Sequence, residues 1–186
     1  KYVYGINVET SAPTSKGIFN AIKTTYNFIS GSFDLKGIHV AISGVGKVGG
    51  KLAKLLFKDG VKITVASINQ DTINQLKKKI SLIETNPENL FKTKCDIISP
   101  CALGKAINST SKNYLRCKAI VGAANNQLDN PEISDWLFKN KIIYSPDYLV
   151  NSGGVIAIAS EINGTEDSLD EQLDKIGDRL TPVLKE

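Results

Sequence analysis

The chain has 186 residues, 41% of them hydrophobic and 23% charged, with a formal net charge of +4. That is the composition of a globular domain large enough to bury a sizeable core, and no apolar segment is long enough to span a membrane. The lysines are scattered; their only run, Lys77-Lys78-Lys79, lies between Leu76 and Ile80 and reads as a solvated helix face rather than a nucleic-acid patch.

In chain order, Lys1 to Pro13 reads as irregular. From Thr14, Ile18, Phe19, Ile22, Tyr26 and Ile29 recur at helical intervals; Thr14 or Ser11 would cap this helix and Gly31 stop it. Ile38–Ser43 is a short β-branched run, the pattern of a buried strand, and Val48, Leu52, Leu55 and Leu56 then predict a helix ending at Asp59-Gly60. Val61–Ile68 predicts a second strand and Ile73, Leu76 and Ile80 a second helix, completing a βαβ unit with a right-handed crossover. Asp96–Ser99 and Lys118–Gly122 read as strands closing on Pro100–Gly104 and Ala123–Asn126. Asn130 would cap, and Pro131 start, a helix through Trp136, Leu137 and Phe138. Lys141–Ser145 follows as a strand, Asn151–Gly154 opens an apolar helix over Val155–Ile162, and Ser168 with Glu171 forms a capping box for a last helix disturbed by Pro182.

Between the first strand and its helix stand Gly44, Gly46 and Gly49 in the spacing G-x-G-x-x-G. The first glycine permits a tight turn, the second lets a pyrophosphate approach the backbone, and the third lets helix and strand pack closely. The free N–H groups at the positive end of the helix would hold the anion. A P-loop is excluded, because Gly49 is followed by Gly50, Lys51 and Leu52 rather than Lys and a hydroxyl residue. Strands alternating with helices then predict an α/β, Rossmann-type doubly wound, mostly parallel sheet with helices on both faces. The expected organisation is one dinucleotide-binding domain: a helical lead-in over 1–37, a core over 38–166 and a C-terminal helix over 167–186. In such a sheet the small, polar clusters Gly44–Gly49, Ser67-Ile68-Asn69, Pro100–Gly104, Ala124–Asn126 and Asn151–Gly154 fall at the carboxyl edge, where ligands bind.

Three cysteines, Cys95, Cys101 and Cys117, match no metal spacing and read as reduced thiols. With no charged-then-apolar signal at the start, the expected location is cytoplasmic. The single histidine, His39, lies inside the first strand, where a satisfied ring is expected and serine-triad chemistry has no support.

The segments Pro13–Gly17, Gly44–Gly49, Cys95–Gly104, Ala124–Leu128 and Pro146–Val155 together resemble the cofactor domain of the amino-acid dehydrogenases. Within the glutamate dehydrogenase superfamily the leucine dehydrogenase branch is the nearest, beside the phenylalanine, valine and tryptophan dehydrogenases. By that resemblance Gly44, Val45, Gly46, Lys47, Val48 and Gly49 hold the pyrophosphate, Ser67 and Ile68 meet the adenosine ribose, and Cys101 and Ala102 flank the adenosine. Thr14, Asn125 and Asn151 hold the nicotinamide carboxamide and its ribose, Ala124 is a further cofactor-binding residue, and Val155 and Ile158 shape the substrate's side-chain pocket. Thr14 also reads as a cap, the two asparagines as turn formers, and Val155 and Ile158 as plain core.

The reaction implied is reversible oxidative deamination of an apolar, leucine-like L-amino acid to a 2-keto acid and ammonia. The resemblance puts its catalytic lysines and aspartate on an N-terminal domain preceding this chain, so no catalytic residue is expected here and the isolated domain should be inactive. The parent enzyme is expected to be a homo-oligomer. Ser67 stands where an acid should accept hydrogen bonds from the ribose hydroxyls, so the cofactor expectation is NAD with NADP admitted. Lys47 replaces the family's usual Asn, either over the phosphates or in solvent, while Ala157 and Ser160 replace polar or acidic residues of the leucine branch. Two further readings remain: a non-catalytic dinucleotide-binding sensor or interaction domain, and a hydroxy-acid dehydrogenase, which lacks a suitably placed histidine.

Overall fold

The computed structural model describes residues 9–185. Its elements in chain order are α1 (Ser11–Ser30), β1 (His39–Ser43), α2 (Lys47–Lys58), β2 (Lys62–Ala66), α3 (Gln70–Lys77), β3 (Ile83–Glu84), α4 (Pro87–Leu90) and β4 (Ile97–Pro100). After a 3-10 turn come β5 (Ala119–Ile120), α5 (Glu132–Lys139), β6 (Ile143–Tyr144), α6 (Asp147–Val150), α7 (Gly153–Asn163) and α8 (Leu169–Val183). All strand pairs are parallel, in the order β3-β2-β1-β4-β5-β6. The order reverses between β1 and β4, so the connections leaving those neighbours diverge and open a crevice at the carboxyl edge.

Strand pleating divides the apolar residues between two faces. Val40 and Ile42 of β1, Ile63 and Val65 of β2 and Ile97 of β4 pack with α1, α2, α3 and α8. Their alternates face the other way: Ala41, Ala66 and Ile98 meet Leu90 of α4, and Ile120 of β5 meets Ile133 and Leu137 of α5. Both faces are therefore covered, as the alternating sequence implies. Each fully buried Val or Ile contributes about 1.5–3 kcal/mol relative to exposure. No helix among the described residues is long and apolar enough to cross a membrane.

Several local expectations need correction. The irregular lead-in ends earlier than Pro13, because α1 begins at Ser11; residues 1–8 lie outside the described part. Neither Ser11 nor Thr14 caps it. Instead, the Glu9 carboxylate accepts from the Ser11 and Ala12 amides at 3.1 and 3.2 Å, and Lys51 of α2 donates to it at 3.1 Å. Thr14 Oγ1 donates to the Thr10 carbonyl, a bond inside the first turn. Asn130 does not cap α5, and its buried Oδ1 has no partner. The Ser168 capping box does not form either; Ser168 Oγ donates to the Thr165 carbonyl at 3.0 Å while accepting from Gln172 at 2.9 Å. β3, α4 and α6 are additions, each too short to show a period. Pro182 sits in the last turn of α8, where the missing N–H leaves one helical bond unmade.

His39 has a satisfied ring: Nδ1 lies 3.1 Å from the Lys94 carbonyl and Nε2 2.7 Å from Thr64 Oγ1. Burial, with the nearby Lys62 charge, holds its pKa below the ordinary value. All three cysteines are free; burial pushes the Cys95 and Cys117 thiols up to about 12 and raises Cys101 as well.

Two outcomes follow from these contacts. A Cβ at position 49 would stand 2.0 Å from the Gly44 carbonyl oxygen. Gly49→Ala should therefore cost at least about 2 kcal/mol in urea unfolding, since helix and strand must part; a loss under about 0.5 kcal/mol would contradict the packing. The Ser11 hydroxyl, then Lys51, lower the Glu9 carboxyl to about 2 from its ordinary 4.5. A depressed folded-state pKa means the cap's contribution is complete above about pH 4.5 and fades as pH falls towards 2. The excess amide exchange at Ser11 and Ala12 in Glu9→Gln should shrink over that window.

Candidate functional site

The crevice is built first from the glycine turn. β1 delivers Gly44 in the left-handed region (φ 90°), and its N–H donates to the Ala66 carbonyl at 2.7 Å, tying the ends of β1 and β2 together. A side chain at Gly44 would collide with Ala102, 2.7 Å from its Cβ. Gly49 brings α2 against Gly44 and the Cys101 side chain. Position 46 differs in kind: a Cβ there would meet nothing within 4 Å. No packing demands glycine at 46, so bare backbone at the start of α2 is left facing open space. The first amides of a helix have no intrahelical acceptor and lie at its positive end. The first turn of α2 carries no acid, and its first residue, Lys47, is exposed. A cation at the positive end of a helix is unfavourable alone and becomes favourable beside an anion. Val45 is buried beneath the turn, while the Val48 carbonyl accepts from Ser15 of α1 at 2.9 Å, holding α2 in place. This turn has the space, donors and charge to fit a pyrophosphate.

The neighbouring strand ends complete one side. The Cys101 N–H donates to the Ser43 carbonyl at 2.7 Å, so Cys101 and Ala102 lie directly beside the turn. At the end of β2, Ser67 Oγ accepts from the Asn69 amide at 3.3 Å and Ile68 is 97% exposed. Asn69 Oδ1 caps α3 by accepting from the Thr72 amide.

On the other side, Asn151 Nδ2 donates to Asn125 Oδ1 at 2.6 Å and lies 3.4 Å from the Ala123 carbonyl. The two asparagines are thus brought together, and with Oδ1 and Nδ2 engaged each amide retains its other end: the NH2 of Asn125 and the carbonyl of Asn151. Ala124 is buried beside them. Thr14 does not bond to this pair. It lies against the start of α7, its Oγ1 2.9 Å from where a Gly154 Cβ would stand, and a Gly153 Cβ would come closer still, 2.3 Å from the Pro13 carbonyl oxygen. On α7, Val155 is 70% exposed, Ile158 half-buried, and Ala157 buried. Ser160 is buried and hydrogen-bonded by Gln172, a structural role.

Two positioning residues escape sequence reasoning. Gln127 is fully buried and its Nε2 donates to the Gly122 and Ala124 carbonyls, bracing the loop that carries Asn125. Asp147 accepts from the Asn126 amide and the Tyr148 amide, holding Asn126 at its positive φ of 50°. Burial, then the Asp147 charge, keeps the nearby Tyr144 hydroxyl above its ordinary pKa. Both residues lie inside the quoted motifs, but nothing local in the sequence marks their partners.

A family profile for glutamate/leucine/phenylalanine/valine dehydrogenases matches residues 62–185. This chain belongs to that family. It is 44% identical over 165 residues to the phenylalanine dehydrogenase of Thermoactinomyces intermedius, covering 87% of this chain and 44% of that protein. Against the leucine dehydrogenase of Geobacillus stearothermophilus it is 33% identical over 190 residues, covering 98% and 52%. Among solved structures, L-tryptophan dehydrogenase from Nostoc punctiforme superposes with a TM-score of 0.90 at 34% identity, covering 94% of this chain and 53% of that one. The chain therefore spans about half the length of the relatives it matches, and the leucine and phenylalanine branches stand side by side.

The open space at Gly46 separates binding from folding. Gly46→Ala should change unfolding free energy by less than about 1 kcal/mol, while NADH and NADPH affinity, followed by reduced-nicotinamide fluorescence, should fall at least about tenfold as the Cβ enters the pyrophosphate's space. Unchanged affinity for both would remove the turn from the site.

Proposed function

We propose that this chain is the cofactor-binding half of a nicotinamide-dependent dehydrogenase that reversibly converts an apolar, leucine-like L-amino acid to its 2-keto acid and ammonia. The observation that carries the reading is the bare Gly46 backbone at the start of α2, with Lys47 beside it and no acid in that turn. Family membership and the names of the relatives supply the reaction class. A nicotinamide dinucleotide, when bound, supplies a ring that accepts hydride from the substrate's α-carbon.

In this reading Gly44, its own amide spent on Ala66, makes the bend, the free amides at the start of α2 within Val45 to Gly49 donate to the pyrophosphate, and Cys101 with Ala102 forms the wall beside the adenosine. The Ser67 hydroxyl and Ile68 meet the adenosine ribose. Asn125, steered by its bond to Asn151, turns an NH2 towards the carboxamide oxygen, and the Asn151 carbonyl accepts in return. Thr14 and Ala124 border the nicotinamide ribose. Fixing the carboxamide fixes which ring face meets the substrate, an orientation worth several orders of magnitude in rate. Val155 and Ile158 offer apolar surface to the substrate side chain. The acid–base groups lie outside this chain, on the domain that a homo-oligomeric, cytoplasmic parent enzyme carries, and the isolated chain binds cofactor without turnover.

The test is the parent protein's reductive amination of a panel of 2-keto acids with ammonia and either reduced cofactor. Branched or aromatic keto acids should exceed 2-oxoglutarate in kcat/KM by at least about tenfold, the discrimination an apolar pocket provides. A preference for 2-oxoglutarate would overturn the apolar assignment.

A further inference from the structure

A groove of about 390 Å³ runs between α2 and α3, beginning at Gly46 and Lys47 and continuing past Lys51 and Lys54 on one side and Thr72 and Lys79 on the other. Lys51 is matched by Glu9. Among the described residues, Lys47, Lys54 and Lys79 take part in no ion pair. Like charges gathered around one concavity repel, and an anion seated there relieves them all. The nearby acids do not fill that role: Glu84 is engaged by Lys77 and by Gln70 at 2.9 Å, and Asp71, exposed at the start of α3, does not line the groove.

We propose that this groove is a phosphate site, and that its phosphate is carried on the 2′ oxygen of the adenosine ribose, so that the chain prefers NADP to NAD. The inference rests on the dinucleotide reading above. Gly46 and Lys47 belong both to the pyrophosphate turn and to the groove, so a dinucleotide held at the turn brings its adenosine ribose to the groove's mouth. That ribose lies at the end of the second strand, where an acid about 20 residues beyond the first glycine selects an unphosphorylated sugar by accepting its hydroxyls. Ser67 occupies that place. Its hydroxyl both removes the negative charge that would repel a 2′-phosphate and supplies a donor towards one. Asn69 spends its carbonyl on the Thr72 amide, which turns its NH2 outward as a second donor. An unphosphorylated ribose would leave the lysines of the groove unmatched.

The test titrates this chain with NADPH and NADH by reduced-nicotinamide fluorescence, with 2′,5′-ADP, 5′-ADP and inorganic phosphate as competitors. NADPH should bind at least about tenfold more tightly than NADH, the strength of one charge-assisted phosphate contact. The advantage should shrink as salt rises, and 2′,5′-ADP should compete better than 5′-ADP. Lys54→Ala/Lys79→Ala should abolish most of the advantage while leaving NADH affinity within about twofold, since both lysines lie away from the pyrophosphate. Ser67→Asp should reverse the preference even if the double variant folds poorly. Equal or tighter binding of NADH by the unaltered chain overturns the proposal while leaving the dinucleotide site intact. Inorganic phosphate protecting the groove without any NADPH advantage overturns it in favour of a free-anion site. Binding of neither reduced form overturns the dinucleotide reading and the proposal together.

Discussion

Helix α2 can begin where it does only because residue 49 has no side chain. With the Gly44 carbonyl 2.0 Å from the place a Cβ would take, one added atom would push the helix start off the strand end. The contact does more than save space. It pins the positive end of α2 over the carboxyl end of β1, beside β4, where the strand order reverses. Ala102 presses on Gly44 and Cys101 on Gly49, so the neighbouring loop is seated by the same contact. Gly46 and Lys47 then stand at the carboxyl edge, where diverging connections open a crevice.

What the sequence reveals follows from what is periodic or locally spelled out. β1, the glycine turn and α2 are legible because an apolar run, three glycines at fixed spacing and a helical repeat occupy adjacent residues. The two faces of the sheet follow from alternation such as Val40-Ala41-Ile42. β3 with two residues, and α4 and α6 with four each, are too short to repeat anything and exist through their neighbours. Capping misleads for a related reason. A capping residue is recognised by type and spacing, yet Glu9 outcompetes the hydroxyls of α1 by reaching two amides at once. Ser168 meanwhile turns back to Thr165 and Gln172. In the site, the residue types were readable but their pairing was not: Asn125 and Asn151 meet across 26 residues of chain. Gln127 looked like any loop glutamine until burial gave it two carbonyls to hold.

Charge shows the same divide between local and global information. Read along the chain, Lys77-Lys78-Lys79 is one solvated face of a helix. In the fold that run is split, because Lys77 pairs with Glu84 on β3 while Lys79 turns into the groove opposite Lys54. Some cations elsewhere join elements: Lys16 bridges α1 to Asp170 and Asp174 of α8, and Lys118 meets Asp96 at 2.8 Å. Burial raises the Asp96 carboxyl, but the bonds from Lys118 and the His39 amide outweigh it and hold it below its ordinary pKa.

The two ends of the sheet consequently differ in kind. Around the start of β1, the His39 ring has a partner at each nitrogen, and Asp96 accepts from both the His39 amide and Lys118. At the opposite edge the same accounting leaves a surplus: the first amides of α2, the NH2 of Asn125 and the carbonyl of Asn151, the asparagine loop being braced by Gln127, whose own buried Oε1 has no partner among the described residues, and by Asp147. Buried polar groups in a folded chain find partners, so groups held rigidly at a surface without them are poised for something outside the chain. That surplus runs from the glycine turn to the asparagine pair along one edge of one sheet, with apolar Val155 and Ile158 beyond it. It is the asymmetry expected of a domain whose folding is finished and whose binding is not.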